Sequence, residues 1–178
     1  MEFSKMSQTE MLIFGILGAA VLVSLIKHIR LMFKVKINAA AFMAQIKKLI
    51  DAKNVDRAIK LSSVAQDALL CRGTKAVLET WQGGNKDSYS LRESFERGAG
   101  VGGVDQYLKK PAWAPPLALV FVAAGVYLIF SSGIQPHNAH WGMAGAAVFL
   151  VIISYVTQSR IKKESLRARD ELVEKLTS

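Results

Sequence analysis

The chain has 178 residues, of which 51% are hydrophobic and 21% charged, and its mean hydropathy is +0.25. It is too apolar for a typical soluble domain yet keeps an ordinary share of charge, so its apolar residues must be concentrated in blocks. A single cysteine, Cys71, excludes an internal disulfide framework and every multi-cysteine zinc site. The net charge of +9 favours an anionic partner, either nucleic acid or lipid.

Three windows contain no Asp, Glu, Lys or Arg: Met11 to Ile26, Pro111 to Pro136 and Trp141 to Ser159. A bilayer core about 30 Å thick needs roughly 20 helical residues, and backbone groups in lipid must be paired internally. We therefore predict transmembrane helices over 11–26, 111–134 and 141–159, with an outer turn at 135–140.

The first window is short. Its 16 residues cover only about 24 Å, so the helix must extend into Ser7 to Glu10 or let Lys27 and Arg30 reach the interface. A buried helix of a soluble bundle and a signal peptide are the alternatives. A signal peptide carries its positive charge before the apolar run, whereas here most of the basic residues follow it.

The basic residues orient the helices. All 23 Lys and Arg residues except Lys5 lie in 27–110 or 160–178, and 134–140 contains no charged residue. Under the positive-inside rule, the charges near the helix ends place these two segments in the cytoplasm and 1–10 outside. The excess charge then reflects membrane topology, so we expect the lipid bilayer and no nucleic acid as a partner.

Residues 27–110 are long enough for a helical cytoplasmic domain and show no strand pattern. Apolar residues at helical spacing stop at a turn with an N-cap, Asn54, and then resume as far as Leu69. This pattern predicts a helical hairpin.

A third short helix is expected to reach Trp81 and to end at Gly83 and Gly84. Ser90 and Glu93 then have the spacing of a capping box, which predicts that another helix begins there.

The run Gly98 to Gly103 formally satisfies the glycine spacing of a dinucleotide-binding loop. That loop holds phosphate only between a strand and a helix, and here a charged helical stretch leads into it. We expect a flexible break or a close helix contact instead.

The third helix is predicted to continue into the cytoplasm, because 160–178 keeps an apolar stripe at helical spacing. From Trp141 to Leu176 it would measure about 54 Å and would pack on the hairpin or on copies of itself. The predicted fold is an all-α membrane protein with three transmembrane helices, a helical cytoplasmic loop and a long cytoplasmic C-terminal helix.

Few polar residues lie in the apolar windows. Ser154, Thr157 and Gln158 share one face at the cytoplasmic end of the third helix. Tyr127 and Ser131 share a face towards the outer end of the second. These five are candidates to line a pore; alternatively, their hydroxyls bond to their own backbone or to a neighbouring helix.

Glycines in the windows predict close helix packing, because small residues let backbones approach. They are Gly15 and Gly18 in the first helix, Gly125 in the second, and Gly142 and Gly145 in the third.

No other residues form a catalytic or metal-binding pattern. His137 and His140 have a spacing that suits a metal, but the residues around them indicate a solvated turn with no third ligand nearby. Cys71 is expected to be a packed thiol. We expect neither a metal nor a cofactor, and no enzymatic activity.

The order of these elements resembles the TolQ and ExbB branch of the MotA/TolQ/ExbB proton-channel family. The segment Phe42 to Leu61 is similar to the family's cytoplasmic loop, and 90–97 and 160–176 look like its flanking helices. The resemblance implies a bacterial inner membrane protein that forms a homo-oligomer, a pentamer, around a single-span TolR/ExbD-like membrane partner. Proton flow past an Asp of that partner would drive energy transduction.

The chain departs from the family in its second span. The family has a Gly-Leu-Leu-Gly-Thr-Val type motif where this chain has Leu117 to Tyr127, without a threonine, and none of the three windows contains an acidic residue. Two hypotheses therefore stay open. The chain is either an ion-channel subunit of the family type, or a non-conducting structural or accessory subunit of a larger inner-membrane complex.

Overall fold

The computed structural model describes residues 7–135 and 137–178, and these residues form eight α-helices and no β-strand. The helices are α1 (Gln8–Ile29), α2 (Ala39–Asp51), α3 (Val55–Ser62), α4 (Leu69–Gln82), α5 (Ser88–Ala99), α6 (Gly103–Lys109), α7 (Ala114–Ser131) and α8 (Asn138–Thr177). A π-helical stretch, Arg30–Val35, follows α1 directly. The all-α prediction is confirmed. Residues 1–6 of the predicted outer terminus and Pro136 of the predicted outer turn lie outside the described residues.

Three helical segments are long and apolar enough to cross a membrane, and they contain α1, α7 and α8. At most 28% of the residues in each apolar window are buried inside the chain. Large apolar side chains such as Leu22, Phe130 and Phe149 are therefore exposed.

The first helix starts earlier than the apolar window alone predicts. The Ser7 hydroxyl accepts a hydrogen bond from the amide of Glu10, and the Glu10 carboxylate accepts one from the amide of Ser7. This reciprocal capping box stabilises two amides that would otherwise lack partners. It also brings an acidic residue into the first turn of α1, which the predicted window left out.

The chain forms two compact units, which share α8. The first comprises the described residues 7–30, 110–135 and 137–156, and the second comprises 31–109 and 157–178. In the first unit α1 packs along α7. Ile13 and Leu17 of α1 are fully buried there together with Ile129 of α7.

The second unit has a core built on the contact between α4 and α5. Phe95 and Leu91 of α5 are fully buried, as are Leu69 and Leu78 of α4. The two helices approach closely at Gly98, where an added Cβ would lie 2.8 Å from the backbone oxygen of Arg72. The close helix contact predicted for the glycine run is therefore confirmed at its first member.

The apolar part of α8 and its charged C-terminal part form one continuous helix, as predicted. The C-terminal part packs in the second unit. The Lys47 ammonium of α2 lies 2.8 Å from the Glu171 carboxylate, and Lys175 lies 2.6 Å from Asp51. The Trp81 indole donates a hydrogen bond to the backbone oxygen of Leu176 at 3.1 Å. These contacts, together with a fully buried leucine at 172, anchor the end of α8 to α2 and α4.

The hairpin of α2 and α3 is confirmed, and so is its cap. The Asn54 side chain accepts a hydrogen bond from the amide of Arg57 at 3.3 Å. The predicted continuation to Leu69 is wrong, because α3 ends at Ser62 and Leu69 opens α4. Ala68 is extended at that junction, and burial of Leu69 in the core outweighs the helical period.

The start of α5 also differs from the prediction at Ser90. The cap is Asp87, whose carboxylate accepts hydrogen bonds from the amide and the hydroxyl of Ser90, at 2.8 and 2.9 Å. The amide of Ser90 holds the pKa of the Asp87 carboxyl below its ordinary value. The aspartate N-cap satisfies a free amide of a helix that begins one turn earlier than predicted. Glu93 then lies inside α5, where it pairs with Arg97.

Candidate functional site

The first unit contains polar and ionisable side chains on helices that are otherwise apolar. They lie in two groups, one near the start of α1 and α8, the other near the end of α1. The second group includes one of the predicted pore residues, and the first includes none.

Ser154 of α8 is the predicted pore residue in the group near the end of α1, and it is 1% exposed. Its hydroxyl donates to the backbone oxygen of Leu150 at 2.7 Å and lies 3.5 Å from Nδ1 of His28. For Ser154 the structure therefore shows the alternative to pore lining, a hydrogen bond within its own helix. The contact with His28 still leaves Ser154 beside a titratable ring.

Lys27 lies in this group and is more deeply buried than its position at a helix end suggests. The side chain is 3% exposed, and its ammonium lies 4.7 Å from the ring centroid of Tyr155. Such a cation–π contact stabilises a charge that has lost water. No carboxylate partner of Lys27 occurs among the described residues. The sequence marked Lys27 only as a flanking charge, because α1 was predicted to end before it.

The first group, near the start of α1 and α8, consists of Glu10, His137 and His140. Nε2 of His137 lies 3.5 Å from the Glu10 carboxylate. His140 is fully buried, and its ring centroid lies 4.2 Å from that of Phe14. The expectation of a solvated turn is wrong for His140, because α8 begins at Asn138 and turns this ring onto α1.

The hydrogen bonds of His140 leave one ring nitrogen without a partner. Its Nδ1 accepts from the amide of His137 at 3.1 Å, which places the ring proton on Nε2. Nε2 is buried and has no hydrogen-bond partner within the described residues. A buried donor without an acceptor is unfavourable by roughly 1–3 kcal/mol.

The other predicted pore residues are not in these groups. Thr157 and Gln158 belong to the second unit, and the side-chain oxygen of Gln158 is buried without a partner among the described residues. Tyr127 and Ser131 are exposed on α7, and the Ser131 hydroxyl donates to the backbone oxygen of Leu128 at 3.4 Å.

The predicted packing glycines differ in their surroundings. A Cβ at Gly125 would lie 2.6 Å from the Leu17 side chain of α1, so this glycine permits the close approach of α1 and α7. At Gly18 the nearest atom would be the methyl group of Met143 at 3.8 Å, an ordinary contact. Three glycines have no such neighbour within 4 Å: Gly15, Gly142 and Gly145.

Cys71 and the glycine run give no sign of chemistry. Burial raises the pKa of the Cys71 thiol to about 11, so the reactive thiolate is scarce at neutral pH. After the glycines, the amide of Val104 donates to the Glu96 carboxylate at 2.9 Å. An acidic side chain thus occupies an amide that a bound phosphate would need. Over the described residues, no group of three His, Cys, Asp or Glu side chains could hold a metal ion.

The fold and these groups define the class of protein: an all-α chain with three helices long and apolar enough to span a membrane. No family model, curated protein or solved structure matches the chain.

Proposed function

We propose that this chain is a TolQ/ExbB-like subunit of a proton-motive-force-driven, energy-transducing complex in a bacterial inner membrane. Its apolar helices would cross the bilayer, with residues 1–10 outside and the C-terminus in the cytoplasm. No catalytic role is part of this proposal.

The exposed apolar surface supports the membrane location. Large apolar side chains cover the outside of the first unit, and their exposure to water would be unfavourable by about 25 cal/mol per Å². Lipid removes this penalty. Trp113, Trp141 and Tyr155 are each about half exposed near the ends of the apolar segments, where aromatic side chains favour the interface.

The observation that carries the proton-handling role is the set of ionisable side chains in the first unit. Buried or paired ionisable groups at the ends of membrane helices lie where protons would enter or leave a path across the bilayer. Glu10, His137 and His140 lie near the start of α1 and α8, and Lys27, His28 and Ser154 lie near the end of α1.

The oligomer and the partner follow from the resemblance in the sequence. A pentamer would enclose a single-span TolR/ExbD-like partner, whose membrane carboxylate would have a counterpart in the buried ammonium of Lys27. The contacts of α8 with α2 and α4 would stabilise the cytoplasmic domain of each subunit in such an assembly.

Two measurements test this proposal. Native mass spectrometry of the detergent-extracted complex should give five copies with a single-span protein. Liposomes that contain the complex and a pH-sensitive dye should show a proton flux that falls when Ser154 and Thr157 are changed to valine. Thr177→Val is the matched control, because that hydroxyl also bonds to its own helix but lies at the end of α8. A monomer without a partner would contradict the proposal.

A second candidate function is a non-conducting structural subunit. Its supporting observation is that the Ser154 and Ser131 hydroxyls donate to carbonyls of their own helices. These groups then have no need of a water-filled pore. A stable multi-protein complex without any proton flux would favour this function.

The orientation can be tested separately. In a Cys71→Ala background, a cysteine at Ser132 should react with an impermeant reagent from outside intact cells. A cysteine at Asn85 should react only after the cells are opened. Labelling of Asn85→Cys in intact cells would contradict the orientation on which both functions rest.

A further inference from the structure

The outer face of the α2–α3 hairpin carries a groove of about 570 Å³ in the second unit. Leu49 of α2, Leu61 of α3 and Val64 form its apolar part, and Val64 is 81% exposed. An exposed apolar surface of this kind usually marks a binding site when polar residues surround it.

Helical periodicity brings the lining together. Arg57, Lys60, Leu61 and Val64 follow the spacing i, i+3, i+4 and i+7, so they share one side of α3 and its end. The buried side of the same helix carries Ala58, which contacts the core. The hairpin therefore has a second amphipathic face, on which Leu49 and Leu61 are partly buried against the core and Val64 is exposed.

The charge around this groove has one sign. Lys48, Arg57 and Lys60 are exposed, line the groove and have no ion-pair partner among the described residues. No acidic side chain lines it. Several other cations of the second unit are paired, for example Lys47 with Glu171 and Lys175 with Asp51.

We propose that this groove is a docking site for an acidic amphipathic helix of a partner protein. The partner's apolar side chains, spaced at three and four residues, would cover Leu61 and Val64, and its Asp or Glu side chains would pair with the three cations. Apolar contact supplies the affinity and the charges select an acidic sequence. The inference does not depend on proton conduction.

The shape and chemistry of the groove favour a helix over other anionic partners. A bilayer surface is flat on this scale and leaves a concave floor unfilled. A nucleic acid backbone offers the charge but no aliphatic surface for Val64, and no aromatic side chain lines the groove for base stacking. A helix with one acidic and one apolar face offers partners both to the three cations and to the apolar side chains of the groove.

A binding measurement on the full chain in detergent tests the site. The probe is a fluorescent synthetic peptide that repeats Leu and Glu at helical spacing, with a scrambled peptide of the same composition as its control. The double variant Arg57→Glu with Lys60→Glu should lower the affinity for the patterned peptide at least about tenfold, because charge reversal repels the partner. Val64→Ser should also weaken binding, while added salt should weaken the native interaction.

The control variant reverses the same number of charges elsewhere. Lys86→Glu with Lys163→Glu changes two exposed lysines outside the groove and should leave the affinity unchanged. Trp81 fluorescence, recorded after Trp113 and Trp141 have been replaced by phenylalanine, shows that each variant is folded, because Trp81 packs against the core. Equal binding of the scrambled peptide, or an unaffected double variant, would overturn the proposal. Displacement of the peptide by anionic vesicles would assign the site to lipid instead.

A cross-linking experiment in cells identifies the occupant. A photoreactive phenylalanine analogue in place of Val64 should form an adduct with an acidic amphipathic segment of another protein, mapped by mass spectrometry. The same analogue in place of Tyr89, which is 73% exposed outside the groove, should not. Adducts of Val64 with a second copy of this chain, or with lipid alone, would refute a partner helix.

Discussion

Replacing Gly98 with alanine should separate the two helices at the centre of the second unit. The new Cβ would lie 2.6 Å from Cβ of Ala76, 2.8 Å from the carbonyl oxygen of Arg72 and 3.2 Å from Cα of Gly73. Two of these neighbours are backbone atoms and the third is a methyl carbon fixed to the backbone, so no rotamer change can relieve the contacts. The crossing of α4 and α5 must therefore widen.

The magnitude follows from two opposing effects. Overpacking of a well-packed core lowers the free energy of unfolding by roughly 1–3 kcal/mol. Alanine in place of glycine within a helix raises it by about 1 kcal/mol. Because the contacts are with fixed atoms, we expect the upper part of the first range and a net loss of about 1–2 kcal/mol. For a unit of this size that corresponds to roughly 5–15 °C in the melting temperature.

Trp81 provides the signal for this measurement, because its indole donates to the backbone oxygen of Leu176 within the second unit. Thermal unfolding is followed in detergent after Trp113 and Trp141 have been replaced by phenylalanine. Gly145→Ala is the control, because a Cβ there meets nothing within 4 Å and its Trp81 transition should not fall. If Gly98→Ala melts at a higher temperature than the native chain, helix propensity dominates and the packing interpretation is wrong.

Three further predictions concern the thiol, the tail and the first unit. Cys71 should resist a maleimide at pH 8 until denaturant is added. The raised pKa of the folded thiol also means that the free energy of unfolding, relative to Cys71→Ala, falls as the pH rises from 9 towards 11, since only the unfolded thiol ionises there. Rapid labelling of the folded chain would contradict its burial. Lys47, by its hydrogen bond, lowers the pKa of the Glu171 carboxyl, so Lys47→Met should lower stability at pH 7 by roughly 0.2–1 kcal/mol. This difference should shrink as the pH falls below 4.5, the ordinary value for Glu171, and chemical unfolding that shows it constant would exclude the ion pair as its cause. Gly125→Val should destabilise the first unit by about 1–3 kcal/mol, read from Trp141 fluorescence, whereas Gly142→Val should have a smaller effect; equal effects would refute close packing of α1 on α7.

The ionisable groups of the first unit show where sequence reasoning stopped. Ser7 and Glu10 have capping-box spacing, and His137 and His140 are three residues apart, so each of these two local pairs was visible in the sequence. What periodicity could not provide was the first residue of α8. A start at Asn138 turns His140 towards Phe14, whereas a longer turn would leave it in water.

Local signals were more reliable within the second unit, with two exceptions: the predicted continuation of α3 to Leu69 and the cap of α5. The Asn54 cap and the end of a helix at Gly83 both follow from residues that act on their immediate neighbours. The cap of α5 was placed at Ser90 instead of Asp87 because both residues have suitable side chains. The choice depends on which turn lets Leu91 and Phe95 reach the core.

Local sequence patterns were enough to predict that the chain is helical, which three segments are apolar, and that α8 continues without interruption into a charged tail. These properties depend on residues close together along the chain, namely helical spacing and the exclusion of charge. The packing of distant helices was needed to show that Lys27 and His140 are buried, that Gly98 lies at a helix crossing, and that the hairpin has a basic groove. Burial and exposure are set by side chains from distant helices, and no local pattern specifies which helices will cover a given residue.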